Sequence, residues 1–88
     1  MDQKRFDTLC QEVVDNLADG DYILGAKIVE KTDTVCTIMM IDRDNGPDNG
    51  EMSTISYLNE DVVLVDGMRI HYCPSVVRVF LHGLFHTA

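Results

Sequence analysis

Val62-Val63-Leu64-Val65-Asp66-Gly67-Met68-Arg69-Ile70-His71-Tyr72 is the stretch that decides the fold. Four consecutive aliphatic residues run into an Asp-Gly pair, the two-residue signal of a type I′ turn, whose twist suits antiparallel strands. Folding the chain back about that pair sets Val65 against Met68, Leu64 against Arg69 and Val63 against Ile70. One face then holds Val63, Val65, Met68, Ile70 and Tyr72, all apolar or aromatic, while the other mixes Val62 and Leu64 with Arg69 and His71. A slip of one residue would exchange the faces, so the register is self-consistent.

Upstream, residues 22–30 and 35–41 are rich in Ile, Val, Thr and Met, and residues 31–34 join them as a second hairpin. Residues 52–58 provide another strand. Between them lies Asp42-Arg43-Asp44-Asn45-Gly46-Pro47-Asp48-Asn49-Gly50-Glu51, with two Asn-Gly pairs and a proline, which reads as a loop.

A helix is expected at each end. Phe6, Leu9, Cys10, Val13, Val14 and Leu17 recur at helical spacing, with Asp2 placed to cap the start and Gly20 the end. The charges oppose the helix dipole: Lys4 and Arg5 fall in the first turn, Asp15 and Asp19 in the last. After Cys73-Pro74, Ser75 is placed to cap a second helix over residues 76–86. Its apolar residues Val76, Val77, Val79, Phe80, Leu81, Leu84 and Phe85 spread over about 240°, more than one sheet contact requires. Such a helix needs a second cover, from the first helix, a second copy of the chain or another protein. The expectation is a single α+β domain over residues 1–88, with about five antiparallel strands between two helices that pack on one sheet face.

Composition narrows the partners. The 88 residues carry 15 Asp and Glu against 7 Lys and Arg, a formal charge of −8. That charge disfavours direct contact with nucleic acid or an anionic membrane and favours a protein with a basic surface. No secretory signal or spanning segment is visible, so the expected compartment is the cytoplasm. Cys10, Cys36 and Cys73 are widely spaced and odd in number, which suits reduced, buried thiols acting as small hydrophobes.

Asp42, Asp44, Asp48 and Glu51, joined by Glu60, Asp61 and Asp66, make the candidate partner-binding set. A row of carboxylates along extended chain advances about 3.3 Å per residue, close to the phosphate spacing of DNA. This suggests an inhibitor that fills the basic groove of a nucleic-acid-binding enzyme. Small acidic proteins of phages and mobile elements, anti-CRISPR inhibitors among them, share this size and charge; the analogy is one of class and no motif carries it. The loop fits neither frame of an EF-hand: counted from Asp42, Gly46 stands at ligand position five, Pro47 at the glycine position six and Ser53 at position twelve, and counted from Asp44, Gly46 stands at position three and Ile55 at position twelve.

Two alternatives remain. Val79, Phe80, Leu84 and Phe85 are candidates for a homodimer interface on the second helix. His71 and Cys73, two apart on a strand, and His82 and His86, four apart on a helix, form a candidate zinc set. It lacks a Cys-x2-Cys knuckle, and Arg78 shares the helix side of both histidines. No nucleophile motif or phosphate loop is present, and neither an enzyme nor a cofactor is expected.

Overall fold

The computed structural model describes residues 2–20, 22–44 and 50–87. In chain order they form α1 (Gln3–Asp15), β1 (Ile23–Lys31), β2 (Val35–Asp42), β3 (Met52–Tyr57), β4 (Val62–Val65), β5 (Met68–His71) and α2 (Pro74–Thr87). The five strands lie in the order β1-β2-β3-β4-β5, each antiparallel to its neighbours.

The β4–β5 hairpin has the register that its sequence dictates, Val62 to His71, Val63 to Ile70, Leu64 to Arg69 and Val65 to Met68. Asp66 (φ 51°) and Gly67 (φ 85°) both occupy the left-handed region, as a type I′ turn demands. Asp66 tolerates it because its carboxylate is held: Ser53 Oγ donates to it over 2.6 Å and the Thr54 N–H over 3.0 Å. Val63 and Val65 are fully buried on the inner face, while Met68, at the tip, stays exposed.

The inner sheet face supplies Cys36, Ile38, Met40, Ile55, Val63 and Val65 to the core. Phe6, Leu9, Cys10 and Val13 of α1 and Val77, Leu81 and Phe85 of α2 join the same buried cluster, so both helices cover one face of the sheet. This is the α+β layering expected from the pattern. β1 is an edge strand and carries two bulges, between Ile23 and Gly25 and between Ile28 and Glu30. Bulges at an edge discourage pairing with a further strand.

Each helix departs from expectation at one end. Asp2 caps α1 as read, accepting from the Arg5 N–H at 3.2 Å. The C-terminal cap, however, is Asn16 and not Gly20. The Asn16 side chain donates to the Glu12 carbonyl at 2.8 Å and closes the last turn itself. Leu17 reaches the core from just beyond the helix, and Gly20 (φ 77°) instead turns the chain into β1. That turn is tied by the Asp19 carboxylate, which accepts from the Ile23 N–H at 2.9 Å.

In α2 the first helical residue is Pro74, so the cap position belongs to Cys73 and not Ser75. Proline fits the first helical position because its missing N–H would have no partner there anyway. The Val77 N–H donates to the Cys73 carbonyl at 3.0 Å. α2 packs against both α1 and β5, and these two contacts cover most of its wide apolar arc. Val76 and Val79 remain exposed, and Phe80 and Leu84 are half-buried against the core. Among the described residues no helix is long and apolar enough to cross a membrane.

Candidate functional site

A meander alternates its connections between the two ends of the sheet, and this divides the acidic set. The β2–β3 connection carries Asp42, Asp44 and Glu51 at one end; the β3–β4 connection carries Glu60 and Asp61 at the other. The six residues of β3 separate them by roughly 20 Å. The seven carboxylates therefore do not form one row. Asp48 lies outside the described residues.

Their environments differ as sharply as their positions. Asp42 is fully buried, where it accepts from the Asp44 N–H at 2.9 Å and from the Tyr22 hydroxyl. Burial first, then the carboxylates of Asp42, Asp44 and Glu51, push the Tyr22 hydroxyl above its ordinary pKa, so these acids converge on one aromatic ring. Asp66 spends both oxygens on Ser53 and Thr54. Asp44, Glu51, Glu60 and Asp61 are exposed. At the far end Asn59 shapes the turn, its side-chain oxygen accepting from the N–H groups of Asp61 (2.8 Å) and Val62 (2.9 Å). Asp42 and Asp66 thus belong to the fold, and Asp44 and Glu51 to the surface.

Beside Asp44 and Glu51 the outer sheet face is apolar. Register places Met39 opposite Lys27 and Met52, and Ile41 opposite Gly25, all on the side away from the helices. Leu24 is the extra residue of the first β1 bulge and is 57% exposed; Met52 is 63% exposed. Further along the same face, Val35, Leu64 and Val62 are half-buried beside Ser56, Arg69 and His71. Strand alternation identified the Val62 and Leu64 side of this face. The bulges that bring Leu24 and Val29 outward leave no local sequence signal, so those residues are legible only in the folded sheet.

The chain returns from the acidic connection very close to β2. Met40 donates its N–H to the Glu51 carbonyl at 2.8 Å. A Cβ on Gly50 would stand 1.5 Å from the Met40 carbonyl oxygen, so only glycine fits there.

The histidines and Cys73 are drawn apart. His71 is exposed on the outer sheet face. Strand β5 ends at His71, so Cys73 is not its same-strand neighbour but the cap residue of α2, with its sulfur 3.2 Å from Ser75 Oγ. That hydroxyl, together with the backbone N–H groups of Val76 and Ser75, holds the Cys73 thiol below its ordinary pKa. His82 Nε2 lies 2.8 Å from the Leu17 carbonyl, fastening α2 to the segment after α1. The side chain of His86 lies outside the described residues. Among the described residues no group of three or more metal-ligating side chains comes together.

The proposed dimer residues also separate. Phe85 is a core residue, whereas Val79 is 64% exposed, with Val76 beside it on the same helix stripe. One of the dipole-opposing charges of α1 gains a tertiary reason: the Arg5 guanidinium stacks 4.0 Å from the centre of the Tyr72 ring. Around Pro74, two open grooves of about 320 and 400 Å³ flank α1, one lined by Glu12, Asn16 and Arg78, the other by Lys4, Arg5 and Tyr72. No family model, curated protein or solved structure matches this chain.

Proposed function

We propose that this is a small acidic, non-enzymatic protein-binding module of the cell interior that docks on a protein with a basic surface. The observation that carries the reading is the uncovered outer sheet face, where Leu24, Ile41 and Met52 adjoin the exposed carboxylates of Asp44 and Glu51. An apolar patch with a charged rim is the composition of a docking surface, the apolar part supplying affinity and the rim orientation. A partner with a basic rim and an apolar centre complements it. In its sharper form the module inhibits a nucleic-acid-binding enzyme by occupying its basic groove. In that form the acidic end of the β2–β3 connection carries the contact, and Glu60 and Asp61 stand too far away to share one groove position.

The test is a tagged pull-down from lysate of the encoding cell, eluted with salt and repeated with two variants. Asp44→Lys with Glu51→Lys is expected to abolish capture while far-UV circular dichroism stays unchanged; Met52→Asp is expected to weaken it at all salt concentrations. Capture that survives the charge reversal refutes the acidic contact.

A second reading rests on α2. Val76 and Val79 form an exposed stripe, and nothing lies within 4 Å of a Cβ built on Gly83, leaving room for a close helix approach. A homodimer through this stripe predicts a sedimentation mass of two chains that falls to one in Val79→Asp.

A further inference from the structure

α1 begins beside the connection from β5 to α2, and the two leave between them the open groove of about 400 Å³. Along one wall Arg5 and Leu9 follow Asp2 at helical spacing, with Lys4 and Thr8 on the adjoining stripe. Tyr72 and Pro74 form the other side. The Tyr72 side chain crosses toward α1, because the Arg5 guanidinium stacks 4.0 Å from its ring centre, while the Tyr57 ring meets it edge-on at 6.3 Å. Tyr72, 9% exposed, is therefore the floor of the groove.

That floor carries an unmet donor. Among the described residues the Tyr72 hydroxyl is the one buried side-chain polar atom with no hydrogen-bond partner. A buried donor left unpaired destabilises the fold that holds it. Phenylalanine would fill the same space without that cost, so the hydroxyl answers to an acceptor that the folded chain does not itself supply.

The charges around it select the acceptor. The chain carries 7 Lys and Arg against 15 Asp and Glu, yet Lys4 and Arg5 both line this groove. Among the described residues neither forms an ion pair. Stacking occupies a face of the Arg5 guanidinium and leaves its N–H edge open. Asp2, the one acid in the groove, is engaged in the helix cap, accepting from the Arg5 N–H at 3.2 Å. A carboxylate fits these groups: its two coplanar oxygens take parallel hydrogen bonds from a guanidinium edge and keep lone pairs for a phenol. A phosphate dianion fits less well beside Asp2, in a chain of net charge −8.

We propose that this groove binds a small organic carboxylate. Arg5 and Tyr72 grip the carboxylate, Lys4 adds charge at the rim, and Leu9 and Pro74 cover the hydrocarbon part. The volume lies in the range of small-molecule sites. The groove belongs to the helical layer and shares no residue with the outer sheet face, so either site can fail without the other.

The experiment titrates benzoate into the isotope-labelled full chain and follows its amide NMR shifts, with benzyl alcohol and inorganic phosphate titrated in parallel. Benzoate is expected to give saturable shifts centred on Arg5, Thr8 and Tyr72, and the other two to bind at least about tenfold more weakly. Tyr72→Phe should bind benzoate about tenfold or more weakly, the loss of a hydrogen bond to a charged group. Its urea midpoint without ligand should stay at or above that of wild type, because an unpaired buried donor has been removed. Absence of saturation by benzoate, equal affinity for benzyl alcohol or phosphate, or unchanged benzoate affinity in Tyr72→Phe would each overturn the proposal. So would a lower urea midpoint in Tyr72→Phe, which would show that the hydroxyl already has a partner inside the fold.

Discussion

Replacing Asp66 separates its role in the fold from its place in the acidic surface. In Asp66→Ala two hydrogen bonds disappear together, those from Ser53 Oγ at 2.6 Å and the Thr54 N–H at 3.0 Å. Ser53 is only 2% exposed, so its hydroxyl is left buried and unpaired, at a cost of about 1–3 kcal/mol. The N–H of half-buried Thr54 adds about 0.5–1 kcal/mol. Alanine at φ 51° adds about 1 kcal/mol that aspartate, tolerant of this region, avoids. The loss comes to about 2.5–5 kcal/mol, against a total stability of about 5–10 kcal/mol for a domain this size. Asp66→Asn keeps one acceptor oxygen and the tolerance of the left-handed region, and should lose only about 1–2 kcal/mol. The assay is urea denaturation followed by far-UV circular dichroism, because the chain has no tryptophan. Asp44→Ala and Glu51→Ala serve as surface controls, expected within about 0.5 kcal/mol of wild type. If Asp66→Ala falls within that same range, the carboxylate is not holding the turn and the assignment of Asp66 to the fold is wrong.

Three other perturbations probe different parts of the molecule. Gly50→Ala, whose Cβ would lie 1.5 Å from the Met40 carbonyl oxygen, should lose about 3 kcal/mol or more in the same urea assay; a neutral result would mean the β2–β3 return runs elsewhere. Phe85→Asp, which buries a charge at a site 4% exposed, should leave no cooperative unfolding transition, while Val79→Asp should stay within about 0.5 kcal/mol of wild type as a monomer. Equal damage from both would show that Val79 is covered, in favour of the α2 dimer. Asp7 has its pKa lowered from 3.8, chiefly by the hydrogen bond from Lys31 and then by Gln3, so its contribution is present above that value and is lost as pH falls through the depressed one. Asp7→Asn should therefore flatten the fall of Tm with acid as pH drops below the ordinary carboxylate value of 3.8, and an unchanged acid slope would show the pair contributes nothing.

Legibility follows the range of the interactions. The hairpin about Asp66-Gly67 was readable to the residue because its turn chemistry and face alternation are both local. The apolar stripe of α1 and its Asp2 cap were readable for the same reason. Gly20 and Ser75 misled because each is a good cap in isolation. Asn16 reached a carbonyl first, and Pro74, restricted to the first helical turn, moved the cap to Cys73.

The acidic set shows the opposite limit. Residues 42 and 44 look alike in sequence, yet Asp42 is buried at the end of β2, where it accepts from the Tyr22 hydroxyl, while Asp44 is exposed in the turn beyond the strand, its N–H donating to the Asp42 carboxylate. The pairing of Lys31 with Asp7 depends on α1 lying against β1, a contact spanning 24 positions that no spacing rule reaches. What the sequence by itself determined is the set of elements, their buried faces, the hairpin register and the net charge, because periodicity and turn geometry act within a few residues. Only tertiary structure decided which carboxylates reach solvent, which distant charges pair and which apolar side chains stay uncovered, because each depends on packing between elements distant along the chain.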